Sequence, residues 1–129
     1  MKILGIDYGL SKIGLAISEG ELVQPLVVIQ NSPKLIFEIS KICQKYQIEK
    51  LVIGLPEGSL GEKVKEFAGQ LLLSTGITFE FRDETLTTRQ ALAKMIEAKK
   101  RKKIRRSFKD AFAAACILQE YLEERRRDV

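Results

Sequence analysis

The sequence has no histidine and only two cysteines among its 129 residues, and both shortages restrict its chemistry. Without histidine there is no Ser-His-Asp or Cys-His mechanism in the usual form, and no histidine-based metal site. Cys43 and Cys116 lie far apart, each inside an apolar helical pattern, with no C-x-x-C spacing that would suit zinc or redox chemistry. They read as two buried free thiols. Hydrolysis is therefore left to carboxylates, a metal ion or lysine. No apolar run approaches the roughly 18 residues that span a bilayer. The N-terminus lacks the charged, apolar and small-residue order of a secretion signal. The expectation is a cytoplasmic protein with no membrane attachment. Repeats, low-complexity tracts and interdomain linkers are also missing, so residues 1–129 read as one domain, long enough for a real core.

What is present is ordinary in amount and uneven in placement. The chain is 45% apolar and 30% charged, with a net charge of +5. Residues 99–106, "KKRKKIRR", hold seven of the 22 lysines and arginines and no acid. The remaining 15 basic and 17 acidic residues leave a net of −2, so the excess is a patch. A smaller cluster, "RRR", stands at 125–127.

Periodicity gives the elements. Residues 2–7, 12–18 and 21–30 read as three strands, the first pair joined by a hairpin turn and the last pair by a turn at Gly20. Pro25 inside the third predicts an edge position or a bulge. Ser32 followed by Pro33 reads as N-cap and first helical residue, with Leu35, Ile39, Ile42 and Tyr46 on one face. The apolar run 50–55 predicts a strand buried on both faces. A helix over 60–74 groups Val64, Phe67, Leu71 and Leu72, and 77–82 alternates as a fifth strand. Thr87 with Gln90 forms a capping box for a helix to about 97. After the basic run, Ser107 caps a last helix to about 125, with Phe108, Phe112, Ala115 and Leu118 towards the core. The order β-β-β-α-β-α-β-α-α predicts an α/β fold, a mixed five-stranded sheet flanked by helices.

Three acidic positions stand at the ends of these elements. Asp7 ends the first strand, Asp83 and Glu84 follow the fifth, and Asp110 lies in the first turn of the last helix. Open α/β sheets place their sites at the carboxyl ends of strands. Two or three carboxylates there provide the oxygen ligands that hard divalent cations take. Two such ions about 4 Å apart can activate water and stabilise the leaving oxygen of a phosphodiester. Each residue also has a purely structural reading. Asp7 forms an Asx-turn, Asp83 and Glu84 are polar residues before a helix, and Asp110 completes an S-x-x-D capping box with Ser107.

The stretches "GIDYGLSKIGLAIS", "VIGLPEGSLGEKVKEFAGQL", "RDETLTTRQA" and "KDAFAAACILQEYL" together resemble the YqgF (RuvX) family over essentially the whole chain. That family contains proteins described as pre-16S rRNA nucleases or as Holliday-junction-resolvase-like. The resemblance implies an RNase H-like fold. It also implies that Asp7, Glu84 and Asp110 are both catalytic residues and ligands of Mg²⁺ or Mn²⁺, with Asp83 ranked below Glu84. Lys109 and Thr87 follow as candidate phosphate contacts. Gly9, Gly54, Ala113 and Ala114 are small residues that fit a tight turn, substrate room and a closely packed last helix, and equally fit simple packing. One departure stands out: after "GLP" the family's longer loop, with an Asn and an Asp-Gly, shrinks here to "EGSLGE".

The basic run supplies the other half of the expectation. Lys99, Lys100, Arg101, Lys102, Lys103, Arg105 and Arg106, with Lys109, would neutralise nucleic-acid phosphates without reading sequence. With only nine aromatics, several of them core, no base-stacking motif is apparent. The combined reading is a metal-dependent nuclease of structured nucleic acid, with ribosomal RNA precursor favoured and branched DNA the alternative. A monomer or weak dimer is expected. The competing readings are a Holliday junction resolvase, which would act as a two-fold dimer, and a non-catalytic RNA-binding or transcription-associated factor.

Overall fold

The computed structural model describes residues 1–83 and 102–127, with side chains at 1–83 and 111–125. Strands β1 (Lys2–Tyr8), β2 (Lys12–Glu19) and β3 (Leu22–Gln30) form an antiparallel meander. Helix α1 (Leu35–Tyr46) leads to β4 (Lys50–Leu55), and helix α2 (Ser59–Thr75) to β5 (Phe79–Asp83). Helix α3 (Lys102–Arg127) closes the described chain. The sheet order is β3-β2-β1-β4-β5, with β4 parallel to both β1 and β5. The mixed five-stranded sheet is therefore as the alternation predicted. The helix expected from Thr87 to about 97 lies outside the described residues.

Pro25 has both consequences foreseen for it. β3 is an edge strand, and the pairing with β2 shifts between Leu15↔Val27 and Ala16↔Pro25, leaving one extra residue on β3. Three sequence expectations need correction. α1 begins at Leu35 rather than Pro33, because Ser32 closes a turn first: its carbonyl accepts the Leu35 N–H at 3.0 Å and its Oγ accepts the Lys34 N–H at 3.2 Å. Leu72 is 38% exposed. Ala68 and Gly61 join Val64, Phe67 and Leu71 on the buried face of α2 instead. α3 starts at Lys102, five residues before Ser107, so Ser107 stands inside the helix and does not cap it.

The two faces of the sheet carry different cores. Leu4, Ile6, Ile13, Leu15, Leu51 and Ile53 meet α1 and α2 through Leu35, Ile39, Cys43, Val64, Phe67 and Leu71. The opposite face, with Ile3, Ala16 and Val52, receives Ala114, Ala115, Ile117, Leu118 and Tyr121 of α3. Both cysteines are buried and neither forms a disulfide; burial pushes each thiol up to about 11, with Glu120 adding to the effect at Cys116. They are poor nucleophiles in the folded protein.

α3 lies unusually close to β1. A Cβ placed on Gly5 would stand 2.5 Å from Leu118 Cγ and 3.0 Å from the Ala114 carbonyl oxygen. The far end of the helix is tied to β5 by charge. Arg82 pairs with Glu124, and its Nε stands 3.7 Å from Glu120 Oε2. Lys50 Nζ lies 2.9 Å from Glu80 Oε2 and over the Tyr121 ring. Lys50 sits above the ordinary lysine range: burial works against its charge, and the Tyr121 hydroxyl and Glu80 carboxylate outweigh it. Glu80 is correspondingly lowered, first by its hydrogen bond from Lys50.

Two substitutions test this packing. Gly5→Ala should lose about 1–3 kcal/mol of stability by overpacking against backbone, read as a lower urea midpoint at unchanged slope. Arg82→Met should cost about 1–3 kcal/mol, because it removes the guanidinium that β5 holds against Glu120 and Glu124 of α3. The same urea titration measures it.

Candidate metal centre

Three parallel strands end at one edge of the sheet. β1 and β4 pair last at Ile6↔Ile53, and β4 and β5 at Leu55↔Asp83. Asp7 stands one residue beyond the last β1–β4 pair, opposite Gly14 of β2, and is half-buried. Alternation assigns its face. Leu4 and Ile6 belong to the α1–α2 core, whereas Ile3 and the Gly5 position meet α3. Asp7 therefore shares the face that α3 covers.

The direction of α3 follows from three contacts. Tyr121 lies beside Lys50, which pairs with Ile3. Leu118 and Ala114 lie over Gly5. Each turn towards the helix N-terminus thus advances along β1, and the turn before Ala114 carries Asp110 towards the Asp7 end. At Asp110 only the backbone is described. Glu84 lies outside the described residues, directly after Asp83. The end of β5 is two strand spacings from β1, about 10 Å. Asp83 itself is exposed and falls on the face of Phe79 and Phe81, which pack against the α1–α2 core. That is the face opposite Asp7.

Among the described residues, no three His, Cys, Asp or Glu side chains gather as a metal cradle. The donor chemistry at Asp7 nonetheless suits a hard cation: it is a carboxylate at a strand's carboxyl end.

The hairpin that carries Asp7 is held by a residue that sequence reasoning missed. Asn31, just after β3, donates its backbone N–H to the Ser11 carbonyl at 2.9 Å and Nδ2 to the Gly9 carbonyl at 2.9 Å. One side chain and its own amide thus brace both sides of the turn. Gly9 is required there, since a Cβ would stand 2.5 Å from the Lys12 carbonyl oxygen. The only cue in the sequence was an asparagine ending an edge strand. The expected small residue Ala114 is fully buried against β1, and Ala113 is half-buried. The shortened loop after Pro56 is a close turn. Gly58 takes φ 80°, α2 begins at Ser59, and a Cβ on Gly61 would meet the Pro56 carbonyl oxygen at 2.5 Å.

The basic run divides. Lys99, Lys100 and Arg101 lie outside the described residues, as does Thr87. Lys102, Lys103, Arg105 and Arg106 occupy the first turns of α3, and Lys109 precedes Asp110 on the same helix. The second cluster belongs elsewhere. Arg125 lies 19 residues beyond Arg106, about 29 Å along the axis, and donates to the Tyr121 hydroxyl at 2.8 Å. A cleft of about 510 Å³ lies at that end, between Lys50, Arg82, Tyr121 and Arg125. Lys50 there pairs with Glu80 and Arg82 with Glu124. No helix among the described residues is long and apolar enough to cross a membrane.

Comparison with known proteins bears on the family and the fold. The chain is 40% identical to a protein of Protochlamydia amoebophila that carries the provisional name pre-16S rRNA nuclease, over 96% of this chain and 94% of that one. Thermus thermophilus RuvC, solved in complex with Holliday junction substrate, superposes with a TM-score of 0.64 at 18% identity, covering 96% of each chain. The fowlpox virus Holliday junction resolvase gives 0.64 at 12% identity, over 96% of this chain and 99% of that one. The fold is thus RNase H-like. Residues 1–124 match the family model described as RuvX, Holliday junction resolvase, and on that match and the sequence identity the chain belongs to the RuvX family.

Proposed function

We propose that the protein is a divalent-metal-dependent nuclease that hydrolyses phosphodiester bonds of structured nucleic acid, with the precursor of 16S ribosomal RNA as substrate. The observation that carries this reading is the position of Asp7. It ends a central strand at the carboxyl edge of the sheet, on the face towards which α3 brings the turn of Asp110. The relatives' names as pre-16S rRNA nucleases favour the substrate.

In this reading Asp7, Glu84 and Asp110 hold Mg²⁺ or Mn²⁺, which supplies the positive charge that lets a phosphodiester approach carboxylates and lowers the pKa of the attacking water. The protein's own part is positional. Asp7 is fixed by the β1–β2 pairing and by the turn that Asn31 braces. Asp110 is fixed by the close seating of α3 on Gly5. Lys and Arg of 99–106, with Lys109, hold the flanking backbone by charge and leave sequence unread. A second reading, symmetric cleavage of a four-way DNA junction, is favoured by the description of the family and by the two resolvase folds. It requires a two-fold dimer.

Two measurements test the proposal. Asp7→Asn should keep the circular dichroism of the folded protein and bind labelled RNA as before. It should also lose Mn²⁺ binding by calorimetry and slow cleavage on the order of 10²–10³-fold or more. Equal cleavage by both proteins would refute the assignment, and binding without cleavage in either would favour the non-catalytic factor. The better substrate, structured RNA or four-way junction, decides between the two nuclease readings. Separately, raising salt from about 50 to about 200 mM should weaken RNA binding roughly 10³-fold if some six phosphates are contacted. Lys102→Gln with Arg105→Gln should flatten the salt slope by about two.

A further inference from the structure

A second concavity opens beside the end of β1, on the sheet face opposite Asp7. It has a volume of about 360 Å³ and lies between the start of α1 and the exposed flank of α2. Tyr8, the residue next to Asp7, packs its ring against the buried Phe67 with centroids 4.9 Å apart and lines the concavity, half-buried, as its aromatic wall. Around the opening stand Asn31, Lys63, Glu66 and Gln70. Asn31 is held in place by its bond to the Gly9 carbonyl. Lys63, Glu66 and Gln70 are exposed and free to turn towards a ligand.

Resting on the nuclease reading above, we propose that this concavity receives one unpaired nucleobase of the strand whose phosphate lies at Asp7. Its size is near the lower end for ligand sites and suits a single heterocycle. Its chemistry is that of a base pocket: an aromatic face for stacking, which every base accepts, and a rim with both donors and acceptors. The Gln70 carboxamide offers both, Glu66 accepts from an exocyclic amino group, and Lys63 donates to a ring or carbonyl acceptor. The site also sits at the right place. Adjacent residues of β1 point to opposite faces, so Asp7 and Tyr8 flank the same strand end. A strand crossing that end presents its phosphate to one and an unpaired base to the other. The substrate class follows: nucleic acid with an unpaired or extruded nucleotide at the cut, in place of uniform duplex.

The test is an NMR titration of the full chain with the four nucleoside 5′-monophosphates, with inorganic phosphate as control. The side-chain amide signals of Asn31 and Gln70 should shift saturably with at least one nucleotide and stay still with phosphate. Tyr8→Leu, which keeps apolar packing on Phe67, should weaken that binding at least fivefold. Gln70→Ala, on an exposed helix face, should change the ranking of the four bases without altering the fold. Immobile signals with all four nucleotides, or equal shifts with phosphate alone, would overturn the proposal. Failure of the nuclease reading is distinguishable: Asp7→Asn would then leave cleavage unchanged, whatever the nucleotides do at Gln70.

Discussion

Where α3 crosses β1 there is no space for a side chain, and the geometry of the rest depends on that contact. Gly5 lets the Ala114 carbonyl and the Leu118 side chain come down onto the sheet. Ala16, Ala114 and Ala115 keep the same face flat on either side. A helix seated on small residues is fixed in height, and a helix fixed in height has a defined register along the strand beneath it. The larger residues of the opposite face, around Leu4, Ile6, Ile39 and Phe67, make a thicker and more conventional core. The face with the thin core is the one that bears the carboxylate of Asp7.

Much of this arrangement was legible from residues alone. Short apolar runs bounded by turn residues placed β1, β2 and β4 nearly to the residue, and Pro25, read as the mark of an edge or a bulge, stands at both in β3. What misled was local signal taken without its surroundings. Ser32-Pro33 has the chemistry of a helix start, yet the chain spends those residues on a turn that brings α1 over the sheet. Ser107 with Asp110 has the spacing of a capping box, yet no glycine or proline follows Gly76 to stop a helix earlier. Lysine and arginine are good helix formers, so α3 runs back through the basic residues to Lys102. From Lys102 onward the basic residues are helical, with no break before Ser107.

The candidate site was legible in a different way. Asp7 was conspicuous as a carboxylate ending an apolar strand, although an Asx-turn would explain it equally well. The choice between Asp83 and Glu84 was not available from the sequence, which shows two adjacent acids and no faces. Once Phe79 and Phe81 are seen against the α1–α2 core, Asp83 is carried away from Asp7 by alternation alone. Asn31 was invisible for the opposite reason. Its contribution lies in two hydrogen bonds across 20 or more residues of chain, and no local pattern encodes such a brace.

The extension of α3 to Lys102 turns one helix into a ruler. Asp110 and the residues 102–106 stand on a single continuous rod, four to eight positions apart, or about 6–12 Å along its axis. A loop would have let the grip on a backbone slide relative to the acidic end. A helix does not. A strand held by those lysines and arginines would meet Asp7 at a set distance from where it is held, whatever its bases. The place of the cut would then be measured in ångströms from the grip.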